Sequence, residues 1–350
     1  NNNLLDPQHT RMPEFGSGDW LNIDHPLTRS ALWGRVLLID FWDYTCINCI
    51  RTLPYLTAWQ ERYAGLGLTI IGVHAPEFRF ARGRGQIEAA LTEFGIEYPI
   101  LLDNEHQTWD RFANRAWPTK HLVDAEGYIR HVRRGEGFYH ETERAIQALL
   151  RERDPDVRLP ELMPLLRPED STGVVCYRPT PELYAGFERG ALGNEEGYAP
   201  AHPMVYQMPL KPARRENAFY ADGIWRAGRE FFTFAGQNGG CIVVPYSAVS
   251  VGAVLSPSAD PVELMLNLRA AEVDPVIEVR QDGEPLTALN AGGDVHVQPD
   301  GTSIVRVERP RLFELVRNPT FESHELELIF RASGLALYTF TFTTCVKPDG

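Results

Sequence analysis

The sequence contains no apolar run of the ~18 to 20 residues that a membrane-crossing helix needs, and it is poor in cysteine, with 5 among 350 residues. The first shortage excludes a helical membrane span within these residues. The second excludes a scaffold built from disulfides, and the odd count leaves at least one thiol without an intramolecular partner. Positive charge is also short, with 34 Lys and Arg against 47 Asp and Glu and a formal net charge of −13. Nucleic acid and anionic membrane surfaces both reward clustered cations, so neither is expected as a partner. A protein partner fits better. An initiator Met and a signal peptide are lacking too; the chain opens on Asn1-Asn2-Asn3, which suggests an excised or processed portion of a longer protein.

What is present is ample for packed cores: 43% apolar residues and 11% aromatic ones. The length exceeds one average domain, and two are expected. The first dozen residues, with Pro7 and Pro13, read as a loose arm, and a short edge strand fits between Asp19 and Leu32. The apolar, β-prone run Val36 to Trp42 reads as a buried strand, and from Ile47 to Tyr63 apolar residues return at helical intervals. That helix is expected to end at Gly65, with a kink after Pro54. A second buried strand, Leu68 to Val73, should run parallel to the first because a whole helix separates them. There follow a basic loop from Arg79 to Arg84, helices at Gln86 to Phe94 and around Glu105 to Phe112, and a strand at Pro99 to Leu102. A hairpin formed by Lys120 to Val123 and Tyr128 to Arg134, then a helix from about His140 to Arg151, complete an α/β sheet with helices on both faces.

Cys46 and Cys49 fall where the first strand gives way to its helix. Backbone N–H groups at a helix start have no intrahelical partner and carry partial positive charge, so a sulfur held there is favoured as the attacking thiolate. Three positions on, Cys49 returns to the same face one turn deeper, within reach of a disulfide. Cys46 then attacks and Cys49 resolves. The competing reading is half of a zinc site, which needs a second Cys/His pair; Cys176, Cys241 and Cys345 are scattered singly. Haem attachment is excluded, because Ile50 follows Cys49 where it needs His. No cofactor and no metal are expected.

Asp40-Phe41-Trp42 followed by Cys46-Ile47-Asn48-Cys49, with Pro54 further along, resembles the active-site region of thioredoxins. Gly72-Val73-His74-Ala75-Pro76-Glu77, the segment Tyr98-Pro99-Ile100-Leu101-Leu102-Asp103, and Trp117-Pro118-Thr119 are similar to the extracytoplasmic TlpA/ResA-type branch. The dipeptide Ile47-Asn48 departs from the Gly-Pro or Glu-Pro common in that family. The resemblance implies that Asp40 passes a proton to and from the resolving cysteine, against the plainer reading of a salt-bridged acid. It implies that Glu77 tunes the cysteines, against a solvated loop carboxylate. It also implies a cis peptide bond at Pro118, which turns the Trp117 backbone toward an extended partner. Trp42 and Tyr44 are expected to wall the active-site turn on the partner's side, a role compatible with the plainer reading of core packing. His74 is read as structural.

Arg153 to Thr172 carries four prolines and many charges, and reads as a linker between a thioredoxin-like domain at 14–152 and a second domain at 173–346. Strand-like runs fill that second half. They are Phe231 to Phe234, Cys241 to Pro245, Val249 to Leu255, Val262 to Leu268, Val276 to Arg280, Ser303 to Arg309, Leu312 to Val316, Leu326 to Phe330 and Ala336 to Thr343, with no convincing helix. An all-β jelly-roll sandwich is expected. Cys176 and Cys345 lie near its first and last strands, either as a disulfide or as two buried thiols. Cys241 reads as inert.

Pro181-Glu182-Leu183-Tyr184-Ala185-Gly186-Phe187, Gly223-Ile224-Trp225 and His324-Glu325-Leu326-Glu327-Leu328-Ile329-Phe330 are similar to the C-terminal extension of DipZ-type proteins. These join a CcdA-like membrane electron carrier to a thioredoxin-like domain and a carbohydrate-binding-module-like sandwich. The resemblance implies an extracytoplasmic thiol-disulfide oxidoreductase, tethered through a membrane portion, fed by a CcdA-type electron donor and acting on disulfide-bearing proteins. A second function stands beside it: recognition of cell-envelope carbohydrate, for which Trp225, Tyr220, Tyr198 and Tyr206 in turn-rich segments would be exposed platforms.

Overall fold

A computed structural model describes residues 4–5, 10–171, 173–200, 202–266 and 274–346. The chain divides into two compact units, Asn1–Asp170 and Ser171–Gly350. Pro7 of the expected arm lies outside the described residues. Among the described residues of that arm, Leu5 N–H donates to Arg130 O at 2.6 Å, and Met12 is buried.

The first unit is a six-stranded sheet in the order β1-β4-β3-β2-β5-β6. Its strands are β1 (Trp20–Leu21), β2 (Val36–Trp42), β3 (Leu68–His74), β4 (Ile100–Leu102), β5 (Thr119–Val123) and β6 (Ile129–Arg134). β2, β3 and β4 are parallel, while β5 runs antiparallel to β2 and β6 to β5. Every residue of β2 is buried, as a central strand covered on both faces requires. Its two-residue period sends Leu37, Ile39 and Phe41 into one apolar cluster with Ile71, Val73 and Phe112. Leu38, Asp40 and Trp42 therefore share the opposite face.

Four helices flank the sheet: α1 (Ile47–Tyr63), α2 (Arg84–Phe94), α3 (Gln107–Arg111) and α4 (Tyr139–Arg153). α1 runs without a break through Pro54. It ends at Tyr63 with Ala64 as its cap, so Gly65 stands just past the end as expected, but Gly65 is not the left-handed residue. Ala64 is still helical, a 3₁₀ turn follows over Ala64–Leu66, and the left-handed residue that stops the chain is Gly67 at φ 108°. The proline-rich segment after α4 is fastened to α1 and α4 rather than left loose. Met163 N–H donates to both carboxylate oxygens of buried Glu143 at 3.2 and 3.1 Å, Gln147 Nε2 to Pro160 O at 2.9 Å, and Leu166 N–H to Tyr55 Oη at 2.7 Å. Side chains satisfy that strap's backbone, so no periodic pattern announces it.

Among the described residues, the second unit is all-β apart from short helical turns, with an eleven-stranded sheet as its main element. Two long strands organise it, Gly240–Ser256 and Arg311–Phe330, paired with each other along most of their length. The first half of Gly240–Ser256 also pairs with Tyr220–Ala227, and its second half with Ala336–Thr343, the change falling near register shifts at Ala248/Ser250 and Val251/Gly252. Bulges let one strand serve both faces of a fold. Hence the runs expected as separate strands at 241–245 and 249–255 are one strand, as are those at 312–316 and 326–330. The run Val262 to Leu268 is corrected as well: Pro261–Leu266 is a short helix, entered at Asp260, whose Oδ1 accepts from Val262 N–H at 2.8 Å. Residues 267 and 268 lie outside the described residues.

Candidate active site

Strand register brings the candidate residues to one edge of the first unit's sheet. Trp42 pairs with His74 on β3, and Phe41 with Thr119 on β5, so the turn to the cysteines, the 75–77 loop and the 117–118 loop all leave the same edge. Cys46 is the N-cap of α1, half-buried, and its Sγ accepts from Cys49 N–H at 3.2 Å. An orphan amide of the helix start thus points at the sulfur. Cys49 is 1% exposed, and both are free thiols. Burial pushes the Cys49 thiol well above its ordinary value, and the neighbouring Cys46 and the charge of Asp40 push the same way. One sulfur is presented and the other is withheld.

Beneath Cys49 lies a group of sealed ionisable side chains. Asp40 is buried and stands opposite Lys120, also buried, in the β2–β5 ladder. Burial raises the Asp40 carboxyl to about 7, with Lys120 pulling it back. Burial likewise lowers the Lys120 ammonium, against the pull of Asp40 and Cys49. Lys120 Nζ donates to Gly135 O at 3.4 Å. Tyr98, buried close by, is pushed well above the usual phenol range by burial and then by Asp40. Lys120 and Tyr98 escaped the sequence reading. A lysine set between Thr119 and His121 in a strand bounded by apolar residues was the available signal.

Asp43, also missed, is the tie that shapes the edge. Its carboxylate is buried and accepts from Thr45 N–H and Thr45 Oγ1–H at 2.6 Å each, and from Glu77 N–H at 2.7 Å. Glu77 thus joins the site through its backbone, at the loop fastened to the cysteine turn. Trp42 and Tyr44 are corrected as partner contacts. Both are buried, Trp42 edge-on to His74 with ring centroids 5.3 Å apart and Tyr44 stacked on the same ring at 5.6 Å. Burial holds His74 down to about 3, a neutral structural imidazole.

The Trp117–Pro118 peptide bond is cis. Trp117 is half-buried, its Nε1–H donating to Ala75 O at 2.9 Å and its ring resting on Trp109 at 4.4 Å. Trp109 is held in turn by Asp103, whose buried carboxylate accepts from the Thr108 and Trp109 N–H groups at 3.0 and 2.8 Å. Two half-buried tryptophans thus form a shelf beside Pro118. Among the described residues, no group of three or more His, Cys, Asp or Glu is arranged to hold a metal, and no helix is long and apolar enough to cross a membrane.

The second unit does not present the expected sugar platforms. Trp225, Tyr220 and Tyr206 are buried, and Tyr198 packs against the same core. Trp225 lies flat on Phe232 at 5.2 Å, with its Nε1–H donated to Asp222 O at 2.8 Å. Trp225 fills an inward position of the strand Tyr220–Ala227, alongside Ala221 and Ala227, and Tyr206 ends the neighbouring strand Met204–Tyr206. Cys176 and Cys345 form a disulfide, with Cys176 exposed rather than buried. Cys241 sits in the main sheet, its thiol pushed up to about 12 by burial and by Glu327 and Asp222.

Comparison with known proteins agrees with this organisation. Residues 10–132 match the AhpC/TSA family, and residues 180–343 match the thioredoxin like C-terminal domain family. Protein DipZ of Mycobacterium bovis is 31% identical over 334 residues, 93% of this chain and 42% of that protein, so the chain spans less than half the length of this relative. The thiol-disulfide oxidoreductase ResA of Geobacillus kaustophilus is 25% identical over 137 residues, 39% of this chain and 75% of ResA. A thioredoxin-like protein solved in its oxidised form is 30% identical, covering 41% of this chain and 96% of its own, with a TM-score of 0.38. The chain is thus similar to DipZ over nearly its whole length, with a thioredoxin-like first unit that matches the AhpC/TSA family and a second unit that matches the thioredoxin like C-terminal domain family.

Proposed function

We propose that this chain is the extracytoplasmic part of a membrane-tethered oxidoreductase. It reduces protein disulfides through the Cys46/Cys49 dithiol with electrons received from a CcdA-type membrane partner. The observation that carries this reading is the asymmetry of the two sulfurs: Cys46 half-buried at a helix start with an amide aimed at it, Cys49 sealed beneath it above Asp40. The Cys46 thiolate attacks a substrate disulfide, forming a mixed disulfide and releasing one substrate thiolate. Cys49 then loses its proton to Asp40, whose carboxyl at about 7 suits that transfer near neutral pH, and attacks Cys46. The products are the Cys46–Cys49 disulfide and a reduced substrate. Lys120 steadies the charge left on Asp40.

In this reading Trp117 and Pro118 border the groove for the substrate's extended backbone, and Glu77 tunes the pair from the adjoining loop. The working domains are residues 14–152 and 173–346, the latter a jelly-roll-type sandwich serving as scaffold or partner-docking module. The test is a Cys49→Ser variant displayed on the outer face of the cytoplasmic membrane. Mixed disulfides should accumulate on Cys46, with the CcdA-type donor and substrate proteins among those captured, while wild type reduces insulin disulfides. A variant that captures nothing, beside a wild type that leaves insulin oxidised, would remove the proposal.

A further inference from the structure

The second unit carries a disulfide that lies outside its apolar core. Cys176 and Cys345 face each other in a ladder of two pairs, Cys345 with Cys176 and Val346 with Val175, which stands apart from the eleven-stranded sheet. Neither cysteine belongs to the apolar core, which is built from residues such as Trp225, Phe232, Phe234 and Phe330. Small domains use disulfides to replace a missing core. This unit has its own core, and its bridge lies at the rim. Cys176 and its neighbours Val175 and Tyr177 are exposed, and Cys345 is half-buried. Thiol–disulfide exchange requires that a thiolate reach one sulfur of the bond, and here the Cys176 side is open.

We propose that the Cys176–Cys345 bridge is a second redox site, an exchangeable disulfide opened by a thioredoxin-class protein dithiol such as the Cys46/Cys49 pair of a second copy. The inference rests on the reading of that pair as a redox dithiol. The Cys46 thiolate attacks the Cys176 sulfur, the Cys176–Cys345 bond breaks, and Cys345 leaves as a thiolate that takes a proton. Cys49 gives up its proton and attacks Cys46, the Cys46–Cys176 bond breaks, and Cys176 leaves as a thiolate that takes up a proton in turn. Two electrons pass from one pair to the other. Cys241 does not compete as a nucleophile, because its thiol is pushed up to about 12 in the main sheet. Once open, the clasp between the first and last strands of the unit retains the Thr344 Oγ1–H bond to Tyr177 O at 2.6 Å and the Tyr177–Phe321 stack at 4.6 Å.

The test uses two full-length proteins. The acceptor is the Cys46→Ser/Cys49→Ser variant with its bridge formed, and the donor is the reduced Cys176→Ser/Cys345→Ser variant, whose folding is checked by insulin reduction. Alkylation and peptide mass spectrometry follow each cysteine. Exchange is expected to yield one new Cys46–Cys49 disulfide per bridge opened, about 10-fold or more faster than with reduced glutathione at equal thiol concentration. A donor carrying Cys49→Ser should trap Cys46 joined to Cys176. A donor that reduces insulin and leaves the bridge closed overturns this inference alone. A donor that reduces neither overturns the dithiol reading, and this inference with it.

Discussion

Asp40 and Lys120 face one another across neighbouring antiparallel strands, both sealed from solvent and both acting on the buried Cys49. A lone buried carboxylate or ammonium would shed its charge; paired, each moderates the other's shift. The result is a carboxyl at about 7 under the resolving cysteine. The chemistry of the site follows from that pairing, and so do three of the expectations below.

The resolving step should quicken as pH rises through 7, where Asp40 becomes able to accept the Cys49 proton. Asp40→Asn should remove that dependence and slow mixed-disulfide resolution on the order of 10²-fold. The first attack by Cys46 should be little affected. Stopped-flow reduction of a peptide disulfide between pH 5.5 and 9 separates the two steps.

Lys120→Met takes away the cation that holds the Asp40 carboxyl down. The midpoint of the same pH profile should move above 7 by about one unit, a differential interaction of roughly 1.4 kcal/mol. A lysine that merely filled space would leave the midpoint unmoved in the Met variant. KM should stay constant, because the side chain is buried beneath the site.

Asp40 also couples stability to pH. Its carboxyl is raised from 3.8 to about 7, so between these values the folded protein holds a proton that the unfolded chain has released. Its contribution is therefore fully present below pH 3.8 and is lost as pH climbs to 7. Against wild type, Asp40→Asn should gain up to about 4 kcal/mol across that window and level off above it. A Lys120 left without its partner is lowered further and bends the difference in the same direction. Urea unfolding of both proteins at pH 5 and pH 8 measures it.

Trp225→Ala should destabilise the second unit by about 3–5 kcal/mol, the cost of emptying a core site. A solvent-facing sugar platform would lose less than about 0.5 kcal/mol on the same change. Denaturant unfolding of the full chain distinguishes them.

The α/β half was legible because its signals are local. The largely apolar β2, the Cys-x-x-Cys at its exit and the Trp-Pro-Thr entry to β5 lie in short stretches, and parallel pairing follows from the intervening helix. The partners of these residues were not legible. Lys120 lies 80 positions from Asp40 and Tyr98 lies 58 away, and only the register of β2 with its neighbours brings their chemistry together. Asp43 carried no signal of its role, since its carboxylate binds both Thr45 and Glu77, and Glu77 lies 34 positions away. In the second unit, Asp222-Gly223 gave the look of a turn to a strand whose Trp225 faces the core. Strands of 17 and 20 residues were divided because a bulge breaks the alternation on which a strand is recognised.

The most direct measurement is an equilibrium titration of the intact protein in glutathione buffers, read by alkylation and peptide mass spectrometry at residues 46 and 49. The two should pass together between dithiol and a disulfide joining them, in one two-electron transition with a midpoint near the ~−270 mV of thioredoxin. A midpoint near the ~−120 mV of a strong oxidant would contradict the reducing role. Cysteines that never join to each other at any poise would contradict the dithiol itself.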